Sequence, residues 1–309
     1  MTIGEILDRA ISTYVRRFGP LFVLLAITTI PAGIMQALGE PQIRHFNDVL
    51  ALLNRLPPSD VNGRNTLLFQ ALSAITPATL LVLFVIPGLL SLLSRNALFV
   101  FANGIFDGAP PSIGAAYRAS LPKWIPQIVA AFAFSVVAFA VLFAFLIIAV
   151  IVVVVIALAL RGTGNIAAGF GVFIVIVPVA GLTFIIMALL NVVWELTSIG
   201  VALEGTSPFR ALGNGLRRTF DRALFGRTIG VALAYTVIEF AGTGALLAAV
   251  SLVRAFVHLD VVGDVLSALA TMLIGGVLGI FMVVYARDLR VRREGLDLLL
   301  AANAAPAVP

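Results

Sequence analysis

Residues 125–160 read IPQIVAAFAFSVVAFAVLFAFLIIAVIVVVVIALAL, thirty-six positions without a charged side chain. At 1.5 Å per residue such a helix is about 54 Å long, against about 30 Å of hydrocarbon in a bilayer. No turn signal falls between Gln127 and Leu160, so one long helix is expected, tilted or projecting beyond the membrane. The run Ile166–Leu203 follows, after the short polar turn Arg161-Gly-Thr-Gly-Asn165. The two runs therefore read as an antiparallel hairpin.

Four more apolar runs surround that hairpin: Leu21–Leu38, one from near Leu72 past Arg95 to Phe106, Leu224–Leu252, and Val261–Ala286. About 20 apolar residues suffice to cross a membrane, so the chain reads as an all-α polytopic integral membrane bundle of six transmembrane helices. Composition agrees. Apolar residues make up 61% and charged residues 11%, where soluble domains hold about 45–50% and about 25%. Mean hydropathy is +1.11. A soluble fold would expose far more apolar surface than monomers tolerate, and a disordered chain would be polar. Cysteine is absent, which excludes disulfides, thiolate metal sites and cysteine nucleophiles. The two histidines, His45 and His258, are too solitary for a metal site.

Basic residues set the orientation. Arg9, Arg16, Arg17, Arg118, Lys123, Arg210, Arg217, Arg218, Arg222, Arg227, Arg287, Arg290, Arg292 and Arg293 fall on the side that holds both termini. Arg44, Arg55, Arg64, Arg161 and Arg254 fall on the other, and Arg95 lies within the membrane. Fourteen against five places both termini in the cytoplasm. The net charge of +5 then reflects topology and calls for no nucleic acid. The first span lacks the short basic lead of a cleaved signal and is read as retained. The one sizeable outer loop is Gly39–Gln70, with a weak helical stretch at Phe46–Leu56.

A capped amphipathic helix recurs three times. Ile3, Ile6, Leu7, Ala10, Ile11, Tyr14, Val15 and Phe18 form one apolar stripe at helical spacing. Thr2-Ile-Gly-Glu5 is a capping box, and Gly19-Pro20 is expected to break the helix. After the second span Ser112 caps Ile113, Ala116, Tyr117 and Leu121, with breaks at Pro122 and Pro126. After the fourth, Ser207-Pro208 opens a helix with Phe209, Leu212, Leu216 and Phe220 on one face, and Gly226 sits at its break. Gly108-x-x-Pro111 and Gly205-x-x-Pro208 precede the second and third helices at matching spacing. The chain therefore reads as a single membrane domain, 1–309, in three parallel repeats of an interfacial helix plus a hairpin: 1–106, 107–203 and 204–286, followed by a basic cytoplasmic tail, 287–309.

The C-terminal Asp288-Leu-Arg-Val-Arg-Arg-Glu-Gly-Leu-Asp297 and the N-terminal Ile3-Gly-Glu-Ile-Leu-Asp-Arg-Ala10, continuing to Tyr14-Val-Arg-Arg17, add a family likeness. With six spans and a basic helix before the fifth, the chain resembles the bacterial membrane proteins named after the membrane domain of glycerophosphoryl diester phosphodiesterase. In some members that domain is joined to a soluble catalytic domain. Here only about twelve residues follow Asp297, so the resemblance implies the membrane module alone, in a bacterial plasma membrane, with no catalytic residues and no cofactor.

Three ionisable residues lie at membrane depth, where each costs at least about 2.5–3.5 kcal/mol on insertion scales: Arg95, Glu195 and Glu239. Arg95 and Glu195 precede Gly108 and Gly205 by similar lengths, so they are expected to pair, with Asn96 and Asn191 hydrogen-bonding nearby. Three readings stand: an ion pair that only fixes helix register, a polar binding site or ion pathway, or Arg95 reaching an interface alone. Glu239, in mid-span, reads either as a protonatable transport carboxyl or as a neutral acid bonded to a carbonyl. Pro77, Pro87 and Pro178 are expected to kink their spans. Gly242-x-Gly244 and Gly275-Gly-x-x-Gly279 suit close helix packing. Arg217, Arg218, Arg222, Arg290, Arg292 and Arg293 are candidates for anionic lipid headgroups on the cytoplasmic side, or simply topology determinants. No zinc-protease, Walker or serine-hydrolase motif occurs, and Gly263-Asp264 lacks the glycine that an intramembrane aspartyl protease carries before it. The expectation is a non-enzymatic membrane scaffold or accessory protein of envelope or lipid physiology; a small-molecule or lipid transporter is the alternative.

Overall fold

The computed structural model describes residues 1–57, 60–74, 76–159, 165–257 and 260–304. Among them every regular element is helical: α1 (Ile3–Arg16), α2 (Phe18–Arg55), α3 (Val61–Ala74), α4 (Pro77–Leu80), a π turn at Leu81–Val85, α5 (Ile86–Phe106), α6 (Ile113–Ser120), a 3-10 turn at Leu121–Lys123, α7 (Trp124–Ala159), α8 (Asn165–Glu204), α9 (Pro208–Thr219), α10 (Phe225–Val257) and α11 (Asp260–Ala304). Six segments are long and apolar enough to cross a membrane: Phe18–Gly39, Pro77–Phe106, Ile113–Ile156, Phe173–Glu204, Phe225–Val253 and Val265–Arg292. They match the six runs read from the sequence, and the 36-residue α7 is unbroken. The chain is thus an all-helical protein with six candidate membrane spans. The polar turn at 161–164, Pro58, His258 and the Arg293 side chain lie outside the described residues.

Several local expectations are corrected. The break after α1 falls at Arg17, while Gly19 and Pro20 sit in the first turn of α2, where a missing N–H costs nothing. The segment 39–70 is not a loop. α2 runs on through Pro41 to Arg55 and stops before Pro57, and α3 follows, opened by Asp60, whose carboxylate accepts from the Gly63 N–H at 2.9 Å. Gly39 reads as punctuation, but its bare backbone receives the Leu83 side chain, with which a Cβ would collide. Pro77 starts a helix and does not kink one, with the Thr76 hydroxyl accepting from the Thr79 N–H at 3.1 Å. The disturbance in this span is the π turn ahead of Pro87, where the Ile86 N–H bonds to the Leu81 carbonyl five residues back. A proline ring crowds the carbonyl four residues earlier, and the wider turn relieves it. Gly226 belongs to α10, and the break lies before it at 220–224. The basic tail continues α11 as helix through Ala304.

The chain packs as two compact units. The first comprises Met1–Thr13, Pro122–Glu239 and Leu278–Pro309; the second comprises Tyr14–Leu121 and Phe240–Val277.

In the first unit α7 and α8 form an antiparallel hairpin. The Lys123 ammonium donates to the Ala202 carbonyl, and the Phe134 and Trp194 rings lie 5.3 Å apart. The short helix α9 lies on that hairpin through Ala130, Val201 and Ala211. Gly215 permits the approach, since a Cβ there would lie 2.6 Å from Thr197 Oγ1 and 3.0 Å from the Val193 carbonyl. α11 enters this unit at Leu278, and every residue from Ile280 to Ala286 is buried. The Tyr285 hydroxyl is 2.8 Å from that of Thr228 on α10. The start of α1 also belongs here, with Ile3 against the bare backbone of Gly230.

In the second unit α2 packs on α3 and α5, and α6 packs on α5. The Tyr117 hydroxyl of α6 donates to the Leu24 carbonyl at 2.6 Å. Gly104 makes room for Pro111, and Gly276 for Tyr14 and Leu25. Burial pushes the Tyr14 hydroxyl up to about 12, so it stays neutral.

Candidate functional site

Helical spacing decides which polar groups of α8 share a face. Asn191, Glu195 and Ser198 stand at i, i+4 and i+7, one stripe along the helix. On α10, Tyr235 and Glu239 are likewise four apart. The two helices run antiparallel, so the pairs meet in reverse order. The Tyr235 hydroxyl donates to Glu195 Oε1 at 2.6 Å, and Asn191 Nδ2 donates to Glu239 Oε2 at 3.4 Å. The first contact is short; the second is long. Glu195 is only 2% exposed.

Another buried polar group stands on α7, the helix that pairs with α8. Gln127, Ala130 and Phe134 of α7, with Lys123 in the turn just ahead of them, form the stripe that meets α8, as the Lys123–Ala202 and Phe134–Trp194 contacts show. Gln127 is fully buried within it, and neither end of its carboxamide has a hydrogen-bond partner. The same holds for the hydroxyls of Ser198 and Thr236, both essentially buried.

Asn191, Glu195 and Glu239, singled out from the sequence, are therefore brought together in the first unit. Arg95 and Asn96 belong to the second. There the Arg95 guanidinium lies 5.8 Å from the centroid of the Phe99 ring, a cation–π arrangement. Asn96 is fully buried, with both carboxamide atoms unpartnered.

The basic candidates divide sharply. Glu204 Oε1 accepts from Arg218 at 2.8 Å and from Arg290 at 2.5 Å. Asp288 holds Arg227 at 2.8 Å, Arg292 at 3.0 Å and the Met1 ammonium at 3.2 Å. The Met1 carbonyl accepts from Arg227 and Arg292 as well. Arg218, Arg290 and Arg292 are thus committed to carboxylates of the protein itself, whereas Arg217 and Arg222 are exposed.

Tyr235, Gln127, Ser198, Thr236 and Glu204 did not stand out in the sequence as site residues, and Asp288 stood out only as the start of the C-terminal motif. The 3.6-residue period was the available signal for Tyr235 and Ser198, which sit four before Glu239 and three after Glu195. For Gln127 there was none. Among the described residues no group of three or more His, Asp or Glu side chains could hold a metal ion. His45 is exposed. No family model, curated protein or solved structure matches the chain.

Proposed function

We propose that this is a non-catalytic multi-pass protein of the bacterial plasma membrane, with both termini in the cytoplasm. On this reading it is a scaffold or accessory component of envelope or lipid physiology, related to the glycerophosphodiesterase membrane-domain proteins it resembles, and anionic headgroups meet its cytoplasmic face. One observation carries it: a three-fold pattern in the capped helices. Counting from the caps Thr2, Ser112 and Ser207, the residues four and eight positions on are buried in each case: Ile6 and Ala10, Ala116 and Ser120, Ala211 and Gly215. The residues two and three positions on are exposed in each case. Gly108 and Gly205, ahead of the second and third caps, both take positive φ, +77° and +61°, a conformation that favours glycine. Such helices suit the membrane interface, with one apolar face down.

Each capped helix seats on a hairpin. α6 lies on α2 and α5, α9 on α7 and α8, and the start of α1 on α10 and α11. In the first unit the carboxylates Glu204 and Asp288 tie α8, α9, α10 and α11 together. A structure braced this way, with no catalytic constellation read from its sequence, suits a scaffold. Reporter fusions test the topology: a fluorescent protein at residue 309 is expected to fluoresce and a periplasmic phosphatase there to stay inactive, and the reverse result overturns the orientation.

The seam of α7, α8 and α10 favours a second reading, a small-molecule or lipid transporter with Glu195 and Glu239 in its site. Liposomes carrying wild type or Glu195→Gln, probed with an organic cation, a carboxylate and a phosphate monoester, separate the two. Flux abolished by Glu195→Gln supports transport; equal leakage from both supports the scaffold.

A further inference from the structure

The polar groups of the first unit form a row. Lys123 binds the Ala202 carbonyl at one end, and Asn191 meets Glu239 at the other. Ala202 and Asn191 stand eleven positions apart on α8, about 16 Å at 1.5 Å per residue, or about half the hydrocarbon thickness. Gln127 lies one turn beyond Lys123 on α7, and Ser198 one turn before Ala202 on α8, so both fall within that interval. Glu195 with its Tyr235 partner comes next.

Within the row the protein leaves hydrogen bonds unmade. The Gln127 carboxamide offers two donors and an acceptor with two lone pairs, and all stand unpartnered at zero exposure. Ser198 and Thr236 add two buried hydroxyls in the same condition. Ordinarily a helix serine or threonine bonds to the carbonyl four residues back, as Thr197 does to Val193 at 2.7 Å; these two do not. A buried polar group left unsatisfied costs about 1–3 kcal/mol, and the usual remedy is bound water, which needs two to four polar partners. A row of amide, hydroxyl and carboxylate groups supplies them.

We propose that the seam of α7, α8 and α10 holds a file of water running from Lys123 to Glu239. Water bound by Gln127 and Ser198 continues to Glu195 and reaches mid-membrane at Glu239, which gives protons a route to both carboxyls from the Lys123 end of the helices. The proposal needs only the membrane-spanning reading of these three helices. It holds whether the whole protein braces or transports.

The absence of cysteine makes the test clean. Ser198→Cys and Thr236→Cys each replace one of these unpartnered hydroxyls by a thiol at almost unchanged volume. Ala130→Cys places one a turn from Gln127, in the buried apolar cluster with Val201 and Ala211. Infrared spectroscopy of the full chain in lipid nanodiscs follows the S–H stretch after transfer to D2O. The seam thiols are expected to exchange at least tenfold faster than the Ala130→Cys thiol; equal rates mean a dry seam and overturn the proposal. Thermal melting of Gln127→Leu is an independent readout, unaffected by any thiol. In a hydrated seam the leucine strands the neighbouring waters and lowers the melting midpoint. In a dry one it removes an unsatisfied amide and raises the midpoint, which also overturns the proposal. Should the protein instead remain monodisperse in buffer without detergent or lipid, the membrane reading itself fails, an outcome neither thiol rates nor Gln127→Leu can produce.

Discussion

The segment Ile280–Ala286 of α11 and the segment Phe132–Val155 of α7 are both written almost entirely in apolar residues. The first is buried on every face. The second leaves Phe132 at 72%, Phe139 at 68% and Val155 at 58% exposure. Hydropathy ranks α7 higher, yet α7 is the peripheral helix and α11 the core. Where the surrounding solvent is itself hydrocarbon, apolar character no longer decides what lies inside, because lipid tails are as apolar as leucine. Position follows from what the neighbours offer. α11 is surrounded because Tyr285 and Asp288, past its middle, are held by Thr228 and Arg227 of α10. The outer half of α7 carries nothing that another helix needs.

The largest expected effect comes from truncating the same side chain in both places. Phe281 is fully buried, so Phe281→Ala leaves a cavity and should cost about 3–5 kcal/mol. Phe139→Ala removes an exposed ring that stacks on Phe143 of the same helix and should stay within about 0.5 kcal/mol. Denaturation in mixed detergent micelles reads both; similar losses at the two sites would show that α7 is packed against something the monomer lacks. Next comes crowding at the α8–α9 seam. Gly215→Val drives a branched side chain into Thr197 and the Val193 carbonyl, with about 1–3 kcal/mol expected from overpacking. Gly213→Ala, with open space around it, should be neutral or slightly stabilising, by up to about 1 kcal/mol, as helix propensity dictates.

Polar ties come third. Tyr235→Phe removes the donor to a 2%-exposed carboxylate and should cost about 1–2 kcal/mol. Hydrogen bonds between membrane helices average less than this, about 0.6 kcal/mol, so a loss below that figure would place water at Glu195 in the variant. Arg290→Gln, at the half-exposed edge of the Glu204 node, should cost at most about 1 kcal/mol. That loss should shrink as salt shortens the Debye length from about 10 Å at 0.1 M to about 3 Å at 1 M.

The contrast also marks how far the sequence could be read. The spans were legible because length and apolarity are local properties, and α7 is unbroken as its composition demands. The region 39–74 was misread because Gly39 and Pro41 resemble a turn until Leu83, forty-four residues away, is seen to occupy the space at Gly39. Asn191, Glu195 and Glu239 were legible as polar groups out of place. Their bonding order was not, because depth along one helix says nothing about which face its neighbour turns. Gln127 illustrates the limit: it lies near the start of a span, where a glutamine at the interface would be unremarked, and only its complete burial makes it a part of the seam. The basic residues had the same difficulty. Charge counting treats Arg217 and Arg218 alike, yet a helix turns them 100° apart, and only Arg218 reaches Glu204.

The smallest effects lie in the three caps, and they sharpen the comparison among the repeated helices. Thr2 and Glu5 make both bonds of a capping box: the Glu5 N–H donates to Thr2 Oγ1 at 3.2 Å, and the Thr2 N–H to Glu5 Oε2 at 2.7 Å. Ser112 makes one, accepting from the Ala115 N–H at 3.2 Å. Ser207 stands in the same position but its hydroxyl makes no cap bond. Pro208 has already removed one of the amides that would need a partner. Thr2→Ala should therefore cost about 1 kcal/mol, Ser112→Ala about 0.5–1 kcal/mol, and Ser207→Ala nothing resolvable. Helix unfolding in detergent, followed for the three single variants against wild type, checks the order. An equal loss at Ser207 would mean that its hydroxyl turns onto the α9 amides in solution, which would make the three caps chemically as well as positionally equivalent.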